Sequence, residues 1–308
     1  MPSRAGGWSR RLSAWDAPVR IGRTELRNPV IAASGTYGYG LEYAGYGDPS
    51  LLGAIVVKSL TTEPRPGFAP PRVTLLDEPG SMVNAIGVPN PGVGQWAELI
   101  LPTMLDAGAA VVASVWGVDA DGVVEAARLL SAYTGPVAWE VNLSCPNSEH
   151  PGRPVSHDPD AAAAVCSIVR SLAPSDVGVW AKLSPDAPDV VEVAVACSES
   201  GAEAVTVANT YPAGAAPSPE HRLGGGSGGM SGAVLRHHVR PLIEKLGSTY
   251  PDIHLIACGG VMSSEIAHDY LRLGARAVQV GTANLFDPRA SHKIARGLVR
   301  SLAREATR

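Results

Sequence analysis

The run AWEVNL, residues 138–143, is a short β-branched and aromatic stretch that closes on a polar residue, Asn142. A near-continuously apolar strand is buried on both faces, as in a parallel sheet covered by helices. Seven further runs have the same character: PVIAAS (29–34), GAIVVK (53–58), VVASVW (111–116), VGVWAKLS (177–184), AVTVANT (204–210), HLIACGG (254–260) and AVQVGT (277–282). Ala- and Leu-rich segments of helical pattern lie between most of them, such as DPDAAAAVCSIVRSLA, DVVEVAVACSESGA and SSEIAHDYLRLGA.

Eight strand–helix units predict an α/β chain closed into one (β/α)8 TIM barrel. An open doubly wound sheet is the main rival, but no strong GxGxxG follows the first strand. No linker divides the chain. Residues 1–27 read as an N-terminal arm and lead-in, and 28–308 as the barrel.

The polar residues fall at the strand ends. Ser34, Lys58, Ser114, Asn142, Lys182 and the pair Asn209–Thr210 close the first six runs; Gly259–Gly260 and Gly281–Thr282 close the last two. In such barrels the C-terminal rim carries ligands and chemistry, so eight consecutive polar or glycine endings predict a site there. Glycine pairs make tight turns. Ahead of helix starts, as in CGGVMSSE and VGTANLFDP, they also admit a phosphate to backbone N–H groups. Lys58 and Lys182 come from opposite sides of the rim, where a buried ammonium needs an anion or an electron-rich ring. A flavin that gains negative charge on reduction suits one of them, and a substrate carboxylate suits the other. Asn84, Asn142, Asn147 and Asn209 offer donors and acceptors to a ring of alternating C=O and N–H groups, such as a pyrimidine.

Composition narrows the partners. Net charge is −4, giving no electrostatic reason to expect nucleic acid or an anionic membrane surface. The first 27 residues are locally basic, with arginines at 4, 10, 11, 20, 23 and 27, dispersed as in a solvated arm. No signal-like apolar core and no run of about 20 apolar residues is present, so a cytoplasmic protein with no membrane partner is expected. The cysteines at 145, 166, 197 and 258 include no CxxC, which argues against a metal nest or a disulfide framework. Cys166 and Cys197 lie in helical patterns and Cys258 in a strand, and all three read as packing residues. Cys145 stands in NLSCPN, where Pro146 ends the ladder, so it belongs to a loop over the mouth. A thiol of ordinary pKa near ~8.5 can serve there as a general base.

These residues carry a family likeness. NPVIAASGTYGYG (28–40), VVKSLTTEPRPG (56–67), SMVNAIGVPNPG (81–92), WEVNLSCPN (139–147), VWAKLSP (179–185), VANT (207–210), GGMSG (228–232), ACGGV (257–261) and VGTANLFDP (280–288) resemble, in order, the dihydroorotate dehydrogenases. The resemblance implies a barrel that holds FMN at its mouth and oxidises dihydroorotate to orotate in pyrimidine synthesis. It implies Cys145 as the base for the C5 proton, with the C6 hydride passing to flavin N5, and Lys58 touching both flavin and substrate. Asn84, Ala85, Ile86, Gly87, Val88, Asn142, Asn147, Asn209 and Thr210 would hold the substrate. Ser34, Lys58, Ser59, Ser114, Asn142, Lys182, Ala208, Gly232, Gly259, Gly260, Gly281 and Thr282 would hold FMN.

Cysteine in place of the serine used by membrane-associated members makes the chain resemble the soluble class 1 enzymes. GGMSG is similar to the GGLSG of class 1B, whose partner subunit carries FAD and a [2Fe–2S] cluster. A homodimer, or a heterotetramer with such a subunit, is therefore expected. Three departures stand out: Ser114 in place of the usual asparagine, Pro89 in place of glutamine, and SEHPGRPVSHDP after CPN. A relative acting on another dihydropyrimidine is the alternative. Dihydropyrimidine dehydrogenases share an NLSCP loop but continue with histidine. The tRNA-dihydrouridine synthases need an RNA surface and a further helical domain for which the acidic chain, ending SLAREATR, leaves little room.

Overall fold

Side-chain parity along the eight predicted runs sorts the barrel into an outside and an inside. The computed structural model describes residues 13–144, 154–214 and 223–307. Its barrel strands are β1 (Val30–Ala32), β2 (Ala54–Val56), β3 (Val111–Val115), β4 (Ala138–Asn142), β5 (Gly178–Lys182), β6 (Ala204–Val207), β7 (Leu255–Cys258) and β8 (Ala275–Val280). They close in the order β6-β7-β8-β1-β2-β3-β4-β5, and each neighbouring pair is parallel. All eight runs read from sequence are strands of this barrel. The ladders of β1, β2, β6, β7 and β8 stop before the polar or glycine ends of their runs, whereas Ser114, Asn142 and Lys182 are still paired within β3, β4 and β5.

One parity, including Val30, Ala32, Ile55, Val111, Ala113, Trp139 and Val141, packs outward against the helices. The other, including Ile31, Ala54, Val56, Val112, Ala138, Trp180, Ala204, Ile256 and Ala277, forms a separate apolar cluster inside the barrel. Two antiparallel strands of the lead-in, Val19–Ile21 and Thr24–Leu26, add the buried Ile21 and Leu26 to that cluster and plug the N-terminal end. One inward step further along the strands, the interior turns polar: Glu140, Lys182, Thr206 and Gln279 are all buried.

The helices begin where the sequence supplies caps. Asp158 accepts from Asp160 N and Ala161 N ahead of helix Pro159–Leu172, and Asp189 does the same for Val190–Glu199. Ser263 caps Ser264–Arg272 through Ile266 N, the start read from SSE. A four-stranded antiparallel sheet, absent from the sequence reading, stands at the mouth in the order Tyr211–Ala213, Gly228–Gly232, Ser81–Asn84, Val73–Leu75. Among the described residues, no helix is long and apolar enough to cross a membrane.

Candidate active site

Polar strand ends and the antiparallel sheet together enclose a cavity of about 310 Å³, within the roughly 300–1,000 Å³ usual for small-molecule sites. Ser34, Lys58, Asn84, Ile86, Lys182, Ala208, Asn209, Thr210, Gly232, Gly259, Gly260, Gly281 and Thr282 all line it, so the structure brings together most of the residues singled out from sequence. Two lysines and, among the described residues, no carboxylate line this space, and Lys182 is paired from below with the buried Glu140.

Lys58 lies across Gly35. That glycine has φ +80°, and a Cβ on it would sit 2.9 Å from Lys58 Nζ. The backbone conformation therefore favours glycine, and a methyl there would displace the Lys58 ammonium. Asn84 donates its amide to Gly229 O at 3.1 Å, which ties the antiparallel sheet together beside the cavity. Gly259 and Gly260 both have positive φ, and Tyr270 Oη donates to Gly259 O at 2.8 Å, so this turn is held from behind by a buried side chain. Burial pushes the Tyr270 phenol well up, leaving it a fixed donor.

Ser59, Ser114 and Asn142 do not line the cavity. They form a buried string behind it: Ser114 Oγ and Ser59 Oγ are 2.9 Å apart, and Asn142 Nδ2 donates to Ser59 Oγ at 2.9 Å. The string continues as Ser144 Oγ donates to Asn142 Oδ1 at 2.9 Å and Asn209 Nδ2 donates to Ser144 Oγ at 2.8 Å. It thus ties β3, β4 and the end of β6 to the residue immediately before Cys145. Ser144 was not singled out from sequence, although it shares the face of Asn142 by strand parity. Ala85, Gly87 and Val88 are buried and turn away from the cavity, with only Asn84 and Ile86 of that segment lining it. Cys145 and Asn147 lie outside the described residues.

Cys258 corrects the sequence reading. It lines the cavity and touches Lys182, because β7 alternates Ile256 inward with Cys258 inward and leaves Ala257 to pack against helices. Burial is the largest influence on its thiol and holds the pKa above the usual value, against the pull of Lys182. Cys166 and Cys197 are buried in the helix layer, as read.

Beneath the cavity, Lys182 Nζ donates to Gln279 Oε1 at 2.7 Å and lies 3.4 Å from Glu140 Oε1. Thr206 Oγ1 donates to Glu140 Oε2 at 3.1 Å, and Gln279 Nε2 donates to the same oxygen. Burial pulls the Lys182 pKa down, but Cys258 and Glu140 outweigh it and the net shift is upward. Lys182 is therefore an ammonium at neutral pH. Among the described residues, no cluster of His, Cys, Asp and Glu is placed to hold a metal ion.

The family model that matches the chain is dihydroorotate dehydrogenase, over residues 17–302. A protein of Trichlorobacter lovleyi named dihydroorotate dehydrogenase B (NAD(+)), catalytic subunit, is 37% identical, covering 92% of this chain and 93% of the relative. One of the same name from Solidesulfovibrio magneticus is 38% identical, covering 94% of each. Among solved structures, the Eimeria tenella enzyme in complex with ferulenol superposes with a TM-score of 0.76 over 97% of this chain and 87% of that one, at 18% identity, a likeness of fold.

Proposed function

Because the chain belongs to the dihydroorotate dehydrogenase family, we propose that it oxidises dihydroorotate to orotate in pyrimidine biosynthesis, with FMN in the barrel mouth. One observation supports this most: a cavity at the C-terminal strand ends, ringed by Lys58, Lys182, Asn84, Asn209 and Thr210 and by two glycine turns. The glycine turns suit the cofactor phosphate, and Lys58 suits the substrate carboxylate.

The residues present fit FMN. Gly259–Gly260 and Gly281–Thr282 open their backbone to the cavity, and a Cβ at Gly260 would stand 2.8 Å from Arg236 N, so a side chain there would collide with the wall. Gly259, Gly260, Gly281 and Thr282 would hold the phosphate, while Ser34, Ala208, Gly232, Lys58 and Lys182 would hold the rest of the molecule. Ser59, Ser114 and Asn142 would act from behind, as the hydrogen-bonded string that sets the wall. FMN, when bound, supplies the acceptor for two electrons and a hydrogen.

The remaining steps fall to the chain's own side chains. Cys145 takes the C5 proton of dihydroorotate. It follows Ser144 in sequence, whose position is fixed by Asn142 and Asn209. Lys58 supplies positive charge to the substrate, and Asn84, Asn209 and Thr210 supply donors and acceptors for the ring. Asn147 and the 84–88 segment complete the substrate side. The names of the relatives, catalytic subunits of an NAD(+) enzyme, support a partner subunit beside this chain; the class 1B resemblance of GGMSG adds the reading that this partner carries FAD and an iron–sulfur cluster and joins a homodimer of this chain.

Substrate identity is tested by turnover on dihydroorotate and dihydrouracil with an artificial acceptor, together with identification of the flavin released on heating. FMN release and turnover confined to dihydroorotate are expected. Preference for dihydrouracil would move the chain to the other dihydropyrimidine enzymes.

A further inference from the structure

Among the described residues, Glu140 is the charged group deep in the barrel that touches neither the cavity nor the reacting atoms. Its side chain is wholly buried, and a carboxylate in such a place is costly unless it is paired and hydrogen-bonded. One oxygen is satisfied by Thr206 and Gln279. The other receives no hydrogen bond and faces the Lys182 ammonium at 3.4 Å. Lys182 in turn lines the cavity from below.

We infer that Glu140 is a positioning residue for the cofactor: acting through Lys182, it holds a fixed positive charge beneath the ring bound in the barrel mouth. This rests on the reading of the cavity as an FMN site. The groups facing Lys182 come from three other strands: Glu140 on β4, Cys258 on β7 and Gln279 on β8, with Thr206 of β6 holding Glu140. Lys58 of the rim lines the same cavity. Of these, Glu140 is the one carboxylate; Gln279 and Thr206 are neutral amide and hydroxyl, and burial pushes the Cys258 thiol up. Without Glu140, Lys182 loses the one carboxylate beside it, and burial is opposed by Cys258 alone, which moves its deprotonation down toward neutral pH. A ring that gains negative charge on reduction would then draw a proton onto Lys182 as it accepts electrons, and its potential would become linked to pH through that lysine.

The test is the midpoint potential of the bound flavin, measured across pH in the intact protein. In the wild type, no lysine-linked change of slope is expected below pH ~10, near the ordinary lysine value. In Glu140→Gln, an interval near neutral pH is expected where the potential falls more steeply with pH than in wild type. That interval should vanish in Glu140→Gln/Lys182→Met and be absent in Glu140→Asp, which keeps the charge. A Glu140→Gln curve of wild-type shape, whether superimposed or merely offset, would overturn the inference. If that variant does not fold, the wild type still decides: a lysine-linked break near neutral pH would show that Glu140 does not hold the charge. Protein that takes up no FMN would instead count against the cofactor reading.

Discussion

Lys182→Met removes an ammonium from the barrel interior and leaves Glu140 without its counter-charge. The two side chains are 4% and 0% exposed and 3.4 Å apart, so solvent does little to screen the loss. An exposed pair would contribute about 0–1 kcal/mol. Breaking a buried one costs roughly 3–5 kcal/mol, because the remaining charge stays desolvated. Methionine fills a similar volume, so cavity formation adds little, and Gln279 loses one hydrogen bond of about 1 kcal/mol. Urea unfolding of the cofactor-free protein reads this directly. At a denaturant dependence of about 3 kcal/mol per M, the roughly 4–6 kcal/mol total should lower the midpoint by about 1.3–2 M. Adding Glu140→Gln neutralises the orphan while its carbonyl still accepts from Thr206, and should restore at least about 2 kcal/mol. A single variant within roughly 0.2 M of wild type by that dependence, or a double variant as unstable as the single, would refute a dry, coupled pair.

Other consequences can be checked separately. Cys145→Ala should retain FMN while losing most reduction by dihydroorotate, and Cys145→Ser should keep a little at high pH, since a hydroxyl is the weaker base; full activity of the alanine variant at neutral pH would end that assignment. Gly35→Ala places a methyl where φ is +80° and Lys58 Nζ lies 2.9 Å away; a cost of about 1–2 kcal/mol from the backbone alone should accompany a raised KM for dihydroorotate, and an unchanged KM would mean that Lys58 does not meet the substrate. Burial pushes Tyr37 and Tyr39 up to about 12, so each favours the folded state below the unfolded value near ~10 and loses that contribution as pH rises toward about 12. Absorbance titration should show these two phenols ionising after the exposed tyrosines, and their ionisation near pH ~10 would contradict the packing.

The barrel was legible because buried parallel strands announce themselves as apolar runs, and because its rim residues, from Ser34 to Thr282, sit at the ends of those runs. The sheet at the mouth was not. Gly228–Gly232 is GGMSG, with no alternation, and it pairs with Ser81–Asn84 across more than a hundred residues. Val73–Leu75 adds an edge with exposed Val73 and Leu75, which has no core-facing pattern to read. Within the site, Glu140 and Gln279 were hidden in runs that otherwise looked like wall, yet each shares its parity with a rim residue, Asn142 and Gly281. Cys258 shows the same lesson. Two residues below Gly260, it points where Gly260 opens, and counting by twos from each rim residue would have found the polar layer.

The most direct measurement is anaerobic mixing of the FMN-loaded protein with dihydroorotate while the visible flavin absorbance is followed. Rapid bleaching is predicted, with one orotate formed per flavin reduced. Protein that binds FMN and stays yellow at saturating dihydroorotate would contradict the assignment of substrate, leaving the barrel and its cofactor site in place.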